Sequence, residues 1–300
     1  MNCLELDDLD PPRLASLIER AVDYKRDTKR IPRPLEGRGV ALLFEKPSAR
    51  TRSSSEMAVV TLGGHPIYVR GEEVGLDTRE TVEDVARTFA CYCSVIMART
   101  FAHDTVERIA SAVDVPVVNL LSDVAHPTQA LADVLTLHEQ WGSVDGRRLA
   151  YIGDGNNMAA SLAFVAALSG LELVVASPPG YELADTVVEA ARNLGGVIEL
   201  TTEPTDAVDG ADAIYTDVWT SMGQEAERDT RRAAFARYQV DAALVKAARP
   251  DAVVLHCLPA HRGEEIATEV IDGPHSIVWR QAANRMDALR ALLVDLLGAA

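Results

Sequence analysis

From Gly39 onward, short runs rich in Val, Ile and Leu alternate with longer segments of helix-like spacing, and this alternation constrains the chain more than any other feature. It predicts strands at Val40–Phe44, Pro66–Val69, Val95–Ala98, Val115–Asn119, Leu149–Ile152, Leu173–Ala176, Val197–Leu200, Ala213–Thr216 and Val253–His256. The intervals leave room for crossover helices, so the expected class is α/β, with two domains that are each a mainly parallel sheet flanked by helices. Gly142–Arg148 follows a long helical run and precedes a strand, which places the domain boundary there, between 1–141 and 148–280. Pro11-Pro12 opens an N-terminal helix. Gln281–Leu297 reads as a C-terminal one, with Met286, Leu289, Leu292, Leu293, Leu296 and Leu297 at helical spacing. The segment 281–298 is expected to pack back on the first domain and tie the two halves together.

Three hundred residues, 48% hydrophobic and 25% charged, suffice for two domains with proper cores. A net charge of −16 argues against nucleic acid as a partner, because phosphate backbones need a basic face. The same charge would repel an anionic substrate, but screening confines that repulsion to roughly 8 Å at physiological ionic strength. Inside a pocket the local arginines decide. Cys3, Cys91, Cys93 and Cys257 lack framework or zinc spacing, so reduced thiols and no metal site are expected. The acidic stretch Glu5–Asp10 is unlike a signal peptide, and the apolar stretch Leu162–Ala176, broken by Gly170 and Glu172, is too short to span a membrane. A cytoplasmic protein without membrane contact is the expectation.

Chemistry gathers where strands end. Phe44-Glu45-Lys46-Pro47-Ser48-Ala49-Arg50-Thr51-Arg52 closes a strand and opens a helix with two hydroxyls and two guanidiniums in five positions. Unpaired N–H groups and the positive end of the helix dipole make Ser48, Arg50 and Thr51 a cradle for an oxyanion, although the same residues also serve an ordinary N-cap. Downstream, His126 stands before Pro127 at a helix start with Gln129 on the same face, a grip suited to a small carbonyl and its NH2 group. Arg99, ending a strand, converges on that pocket. Gly153-Asp154-Gly155-Asn156-Asn157-Met158 lacks the third glycine of a dinucleotide loop, and its asparagines suit an amino acid better. Asp217, at the end of another strand and followed by Ser221-Met222-Gly223, is placed to hold an ammonium. His256-Cys257-Leu258-Pro259 ends the series, with Cys257 read either as a site thiol or as a buried structural cysteine.

In that order, Ser48-Ala49-Arg50-Thr51-Arg52, His126-Pro127-Thr128-Gln129, Asp217 to Gly223 and His256-Cys257-Leu258-Pro259 resemble the aspartate/ornithine carbamoyltransferase family over almost the whole chain, with the features of its ornithine branch. The resemblance implies a carbamoyl-phosphate-binding first domain and an ornithine-binding second one. It implies that Ser48, the backbone around Ala49, Arg50 and Thr51 hold the phosphate while Arg99, His126 and Gln129 hold the carbamoyl group. Asn157, Asp217, Ser221 and Met222 would bind the α-amino and α-carboxylate groups of ornithine, and Cys257, the Leu258 carbonyl and Arg285 would line the reacting amine. It further implies a homotrimer or a multiple of trimers with shared sites, domain closure on substrate, a cis Leu258-Pro259 bond, and a reaction without cofactor or metal. Citrulline and phosphate would be the products, in arginine metabolism.

Three departures from the family pattern bear on this expectation. Ala49 replaces a common threonine, Ser54 stands where a phenylalanine is usual, and Arg70–Arg79 lacks the glutamine pattern with which relatives reach a neighbouring subunit's site. Gly75, Leu76 and Asp77 lie there instead. The alternatives are transfer to aspartate, lysine, putrescine or N-acetylornithine, and a non-catalytic metabolite-binding paralogue. The residues leave open whether the reaction runs toward arginine synthesis or breakdown.

Overall fold

The computed structural model describes residues 1–221 and 223–299, and it resolves into two compact units, Met1–Glu139 with Ala283–Ala300 and Gln140–Ala282. Among the described residues the first unit runs α1 (Pro11–Arg26), β1 (Gly39–Phe44), α2 (Ala49–Thr61), β2 (His65–Arg70), α3 (Gly71–Val74), α4 (Val82–Ala90), β3 (Cys93–Arg99), α5 (His103–Ala112), β4 (Val117–Leu121) and most of α6 (Pro127–Trp141). Its sheet is parallel, in the order β2-β1-β3-β4. Ala41, Leu43, Ile96, Ala98 and Val117 face Val82, Ala86, Val106 and Ile109 in one core. Strands buried this way read as unbroken apolar runs, which is why they were visible in the sequence.

The second unit continues with β5 (Arg148–Ile152), α7 (Asn157–Ser169), β6 (Glu172–Ala176), α8 (Asp185–Asn193), β7 (Val197–Thr201), α9 (Pro204–Val208), β8 (Ala213–Thr216), α10 (Arg228–Phe235), α11 (Ala242–Ala247), β9 (Val253–His256), α12 (Thr268–Ile271) and α13 (Val278–Leu296). Its parallel sheet has the order β7-β6-β5-β8-β9. Every predicted strand is present, with ends moved by at most two residues. The largest shift is at β4, which begins only after Pro116, a residue with no N–H for the ladder. The last helix starts a turn earlier than expected because Val278 is buried in the second unit's core, and the division between the units falls within that helix.

Both sheets switch winding direction, the first between β1 and β3 and the second between β5 and β8. Open parallel sheets bind ligands outside the carboxyl ends of strands at such points. Gly155, just past β5, is pressed against the backbone of Glu182 and Leu183, where an added Cβ would lie 2.2 Å from the Leu183 nitrogen. Neither backbone can yield like a side-chain tip, so Gly155→Ala should destabilise the protein by about 2–3 kcal/mol in denaturant unfolding.

Candidate active site

In the first unit three adjacent strands deliver the candidate groups: β1 leads to Ser48, β3 ends in Arg99, and β4 leads to His126. Ser48 caps α2, its Oγ accepting from the Thr51 N–H at 3.3 Å while its hydroxyl donates to Thr51 Oγ1 at 3.1 Å. Arg99 Nη1 reaches the same oxygen at 3.4 Å, and Arg285 Nη2, from α13, donates to it at 3.0 Å. Thr51, Arg99 and Arg285 are each at most 5% exposed, so two guanidiniums meet one hydroxyl out of bulk water beside a helix N-terminus. Arg52, by contrast, is spent on Glu56 at 2.8 Å and on the Tyr68 ring. The Ser54 hydroxyl turns back to the Thr51 carbonyl at 3.2 Å, so this departure from the family pattern leaves no polar group loose at the cradle.

Gln129 is held from both ends. Its Nε2 donates to Asp133 Oδ1 at 2.7 Å, and its Oε1 accepts from Arg285 Nη1. His126 is buried, and burial, then the positive charges of Arg285, Arg99 and Arg50, hold its imidazole well below the usual value of 6.5. At neutral pH it is therefore an uncharged ring that can donate one N–H.

The second unit repeats the plan. β5, β8 and β9 are neighbours, and past their ends stand Asn156-Asn157, Asp217 and Cys257. Asp217 Oδ1 accepts from Cys257 Sγ at 2.9 Å and from the Val218 N–H at 2.8 Å, and its Oδ2 accepts from Asn156 Nδ2 at 3.1 Å. Asn157 opens α7, and the Ser221 N–H donates to Gln224 Oε1 at 3.0 Å. Met222 lies outside the described residues. Burial, then the charges of Asp217 and Asp154, push the Tyr151 phenol well up, so it remains a donor, to Asn156 Oδ1 at 3.3 Å.

The Leu258-Pro259 bond is cis. Leu258 takes a left-handed conformation at φ 60°, which a non-glycine residue keeps only where its surroundings hold it, and the Leu258 N–H donates to His256 Nδ1 at 2.8 Å. The other ring nitrogen of His256 therefore faces Glu265 Oε1 as a donor, at 3.1 Å. Asp217, His256 and Cys257 offer atoms within 4.8 Å of one another, a donor set suited to a zinc-like ion. Both ring nitrogens of His256 already hold hydrogen bonds, so an ion would have to break one of them.

Sequence reading missed Asn156, Asp133, Arg231 and the His256–Glu265 pair. Asn156 and Asp133 were signalled faintly, as an asparagine before a helix and as an acid one turn after Gln129. Arg231 was not, because only the fold brings it to Asp154 at 2.8 Å and to the Trp219 carbonyl at 3.0 Å. The Arg70–Arg79 departure also has a local structure: Arg108 binds Asp77 through both terminal nitrogens at 2.6 and 3.0 Å, and Glu83 with its remaining donors.

Two family models match these units: the carbamoyl-P binding domain of aspartate/ornithine carbamoyltransferase over residues 1–139, and its Asp/Orn binding domain over 145–296. The chain belongs to the aspartate/ornithine carbamoyltransferase family. It is 50% identical over 297 residues to an ornithine carbamoyltransferase of Parafrankia sp., covering 97% of this chain and 94% of that one. It is 45% identical to the anabolic ornithine carbamoyltransferase of Pyrococcus furiosus over 304 residues, covering 99% and 96%. A solved ornithine carbamoyltransferase from Pyrococcus furiosus superposes with a TM-score of 0.95 at 44% identity, covering 100% of this chain and 97% of that chain.

The depressed His126 has a stability consequence with a definite sign. Its folded value lies below its unfolded one, so the contribution is complete above about pH 6.5, and it is lost as acid protonates the unfolded ring first. His126→Asn should therefore lose less stability than the parent between about pH 6.5 and 5, which denaturant titrations across that window would measure.

Proposed function

We propose that the chain transfers the carbamoyl group of carbamoyl phosphate to the side-chain amine of L-ornithine, giving L-citrulline and phosphate. The observation that carries this reading is near-full-length identity of about half to ornithine carbamoyltransferases. Two guanidiniums meeting on Thr51 at the start of α2 agree with it. In this reading Ser48, Ala49, Arg50 and Thr51 hold the phosphate, and Arg99, His126 and Gln129 the carbamoyl group. Asp217 takes the α-ammonium, while Asn157, Ser221 and Met222 take the α-carboxylate. Cys257 and the Leu258 carbonyl orient the reacting amine, with Arg285 bracing Gln129 and Thr51.

Chemically, the neutral amine adds to the carbamoyl carbon, the carbonyl oxygen gains negative charge, and phosphate leaves with the bonding pair and takes up the proton that the attacking nitrogen gives up. Arg99 and the uncharged His126 donate to that oxygen as charge develops, and the cradle stabilises the departing phosphate. Positioning and charge stabilisation account for the rate without a covalent enzyme intermediate.

The finer points of the proposal are synthesis rather than breakdown of arginine, a homotrimer or multiple of trimers, and a cytoplasmic location. The name of the Pyrococcus furiosus relative supports the first. Met57 and Val60, nearly half exposed on α2, support a face covered by another subunit. No helix among the described residues is long and apolar enough to cross a membrane.

Purified protein supplied with carbamoyl phosphate should form citrulline from ornithine and far less product from lysine, putrescine, N-acetylornithine or aspartate. Product from another amine in place of ornithine would overturn the reading. Arg50→Ala, which strips one partner from a desolvated ion pair, should weaken carbamoyl phosphate binding by roughly 30-fold to a few thousand-fold in a titration. A loss under threefold would show the cradle misassigned. Light scattering should give a mass near three subunits or a multiple of three.

A further inference from the structure

Asn156 has two duties that point its amide in one direction. Its Oδ1 caps α7, accepting from the Met158 N–H at 2.9 Å and the Ala159 N–H at 3.2 Å, and it also accepts from the Tyr151 hydroxyl at 3.3 Å. An amide whose oxygen is engaged by three donors cannot turn over without placing its NH2 against them. Its Nδ2 is thus directed away from the helix, where it donates to Asp217 Oδ2 at 3.1 Å. The strands behind these two residues, β5 and β8, are paired in register, Ile152 opposite Thr216, across the point where the sheet switches direction.

We infer that Asn156 is a positioning residue that fixes the Asp217 carboxylate for the α-ammonium of the amino-acid substrate, using the helix cap to lock its own orientation. The inference rests on the role given to Asp217 above. Cys257 Sγ and the Val218 N–H fix one carboxylate oxygen, and Asn156 fixes the other, so the plane of the carboxylate is set before substrate arrives. A cap alone does not need asparagine, because serine and aspartate serve the first turn of a helix about as well. What asparagine adds is the donor on the far side.

That difference makes the inference separable from a structural role. Asn156→Ser keeps an oxygen for the cap, adds no charge and removes the donor. Asn156→Asp keeps cap and shape but sets an acceptor against Asp217. Both should raise the KM for ornithine by about ten- to a hundredfold, since a hydrogen bond to a charged group is lost. The melting temperature of Asn156→Ser should stay close to that of the parent, and in that variant inhibition by inorganic phosphate, competing with carbamoyl phosphate, should change less than twofold. A folded Asn156→Ser protein with an ornithine KM within twofold of the parent would overturn the inference. So would a parallel loss of phosphate affinity and thermal stability, or failure of both variants to fold, either of which would assign Asn156 to the fold alone. If the parent protein forms no citrulline, the carbamoyltransferase reading itself fails.

Discussion

Positive charge gathered at the start of α2 is the constraint on which the first unit depends. Like charges ~5 Å apart in a protein of effective dielectric ~20 repel by about 3 kcal/mol, a sizeable share of the stability of an ordinary domain. Arg99 and Arg285 nevertheless share the Thr51 hydroxyl, and burial first, then these two charges and that of Arg50, keep His126 uncharged. The buried β1, β3 and α6 fix the approach of these groups, and the helix N-terminus adds its own partial charge rather than relieving theirs. An oxyanion entering such a place relaxes repulsion already present, so part of its binding energy comes from the protein's own strain. The acidic exterior does not counter this, because its field is screened over roughly 8 Å while the cluster acts at contact.

The second unit solves a different problem, that of holding one carboxylate still. Three donors from three strand ends converge on Asp217, and none of them is a charged group. Neutral donors orient the group without cancelling its charge, which remains available to an incoming cation. Arg231 supplies the nearby full positive charge, but it is taken by Asp154, Glu227 and the Trp219 carbonyl, so it braces the segment after β8 instead of competing for Asp217.

The extent to which the sequence announced this architecture follows from the kind of signal each part emits. Strands of a parallel sheet covered on both faces must be apolar throughout, and β1, β3, β5, β8 and β9 could be placed from that alone. The chemistry-bearing residues followed, because loops after such strands are short and their polar residues conspicuous: Ser48, Arg99, His126, Asp217 and Cys257 all come within five residues of a strand end. Contacts made across the fold were not legible. Glu265 is nine residues from His256, and nothing in the spacing predicts that a fully buried glutamate meets the imidazole that holds Leu258 in place. Asn156 was not told apart from Asn157 for a related reason: of two adjacent asparagines, only the backbone geometry of α7 tells which caps the helix and which follows it.

The double anchoring of Gln129 carries a consequence for what the first unit can recognise. Turned over, its amide would set oxygen against the Asp133 carboxylate and N–H against the Arg285 guanidinium, two clashes of like polarity out of water. Most glutamines can swap ends to suit whatever approaches. This one is one-handed, so in the proposed carbamoyl-binding role it would require a visiting planar group to match it edge for edge, and a look-alike with a methyl in place of an amine would find no accommodation by rotation.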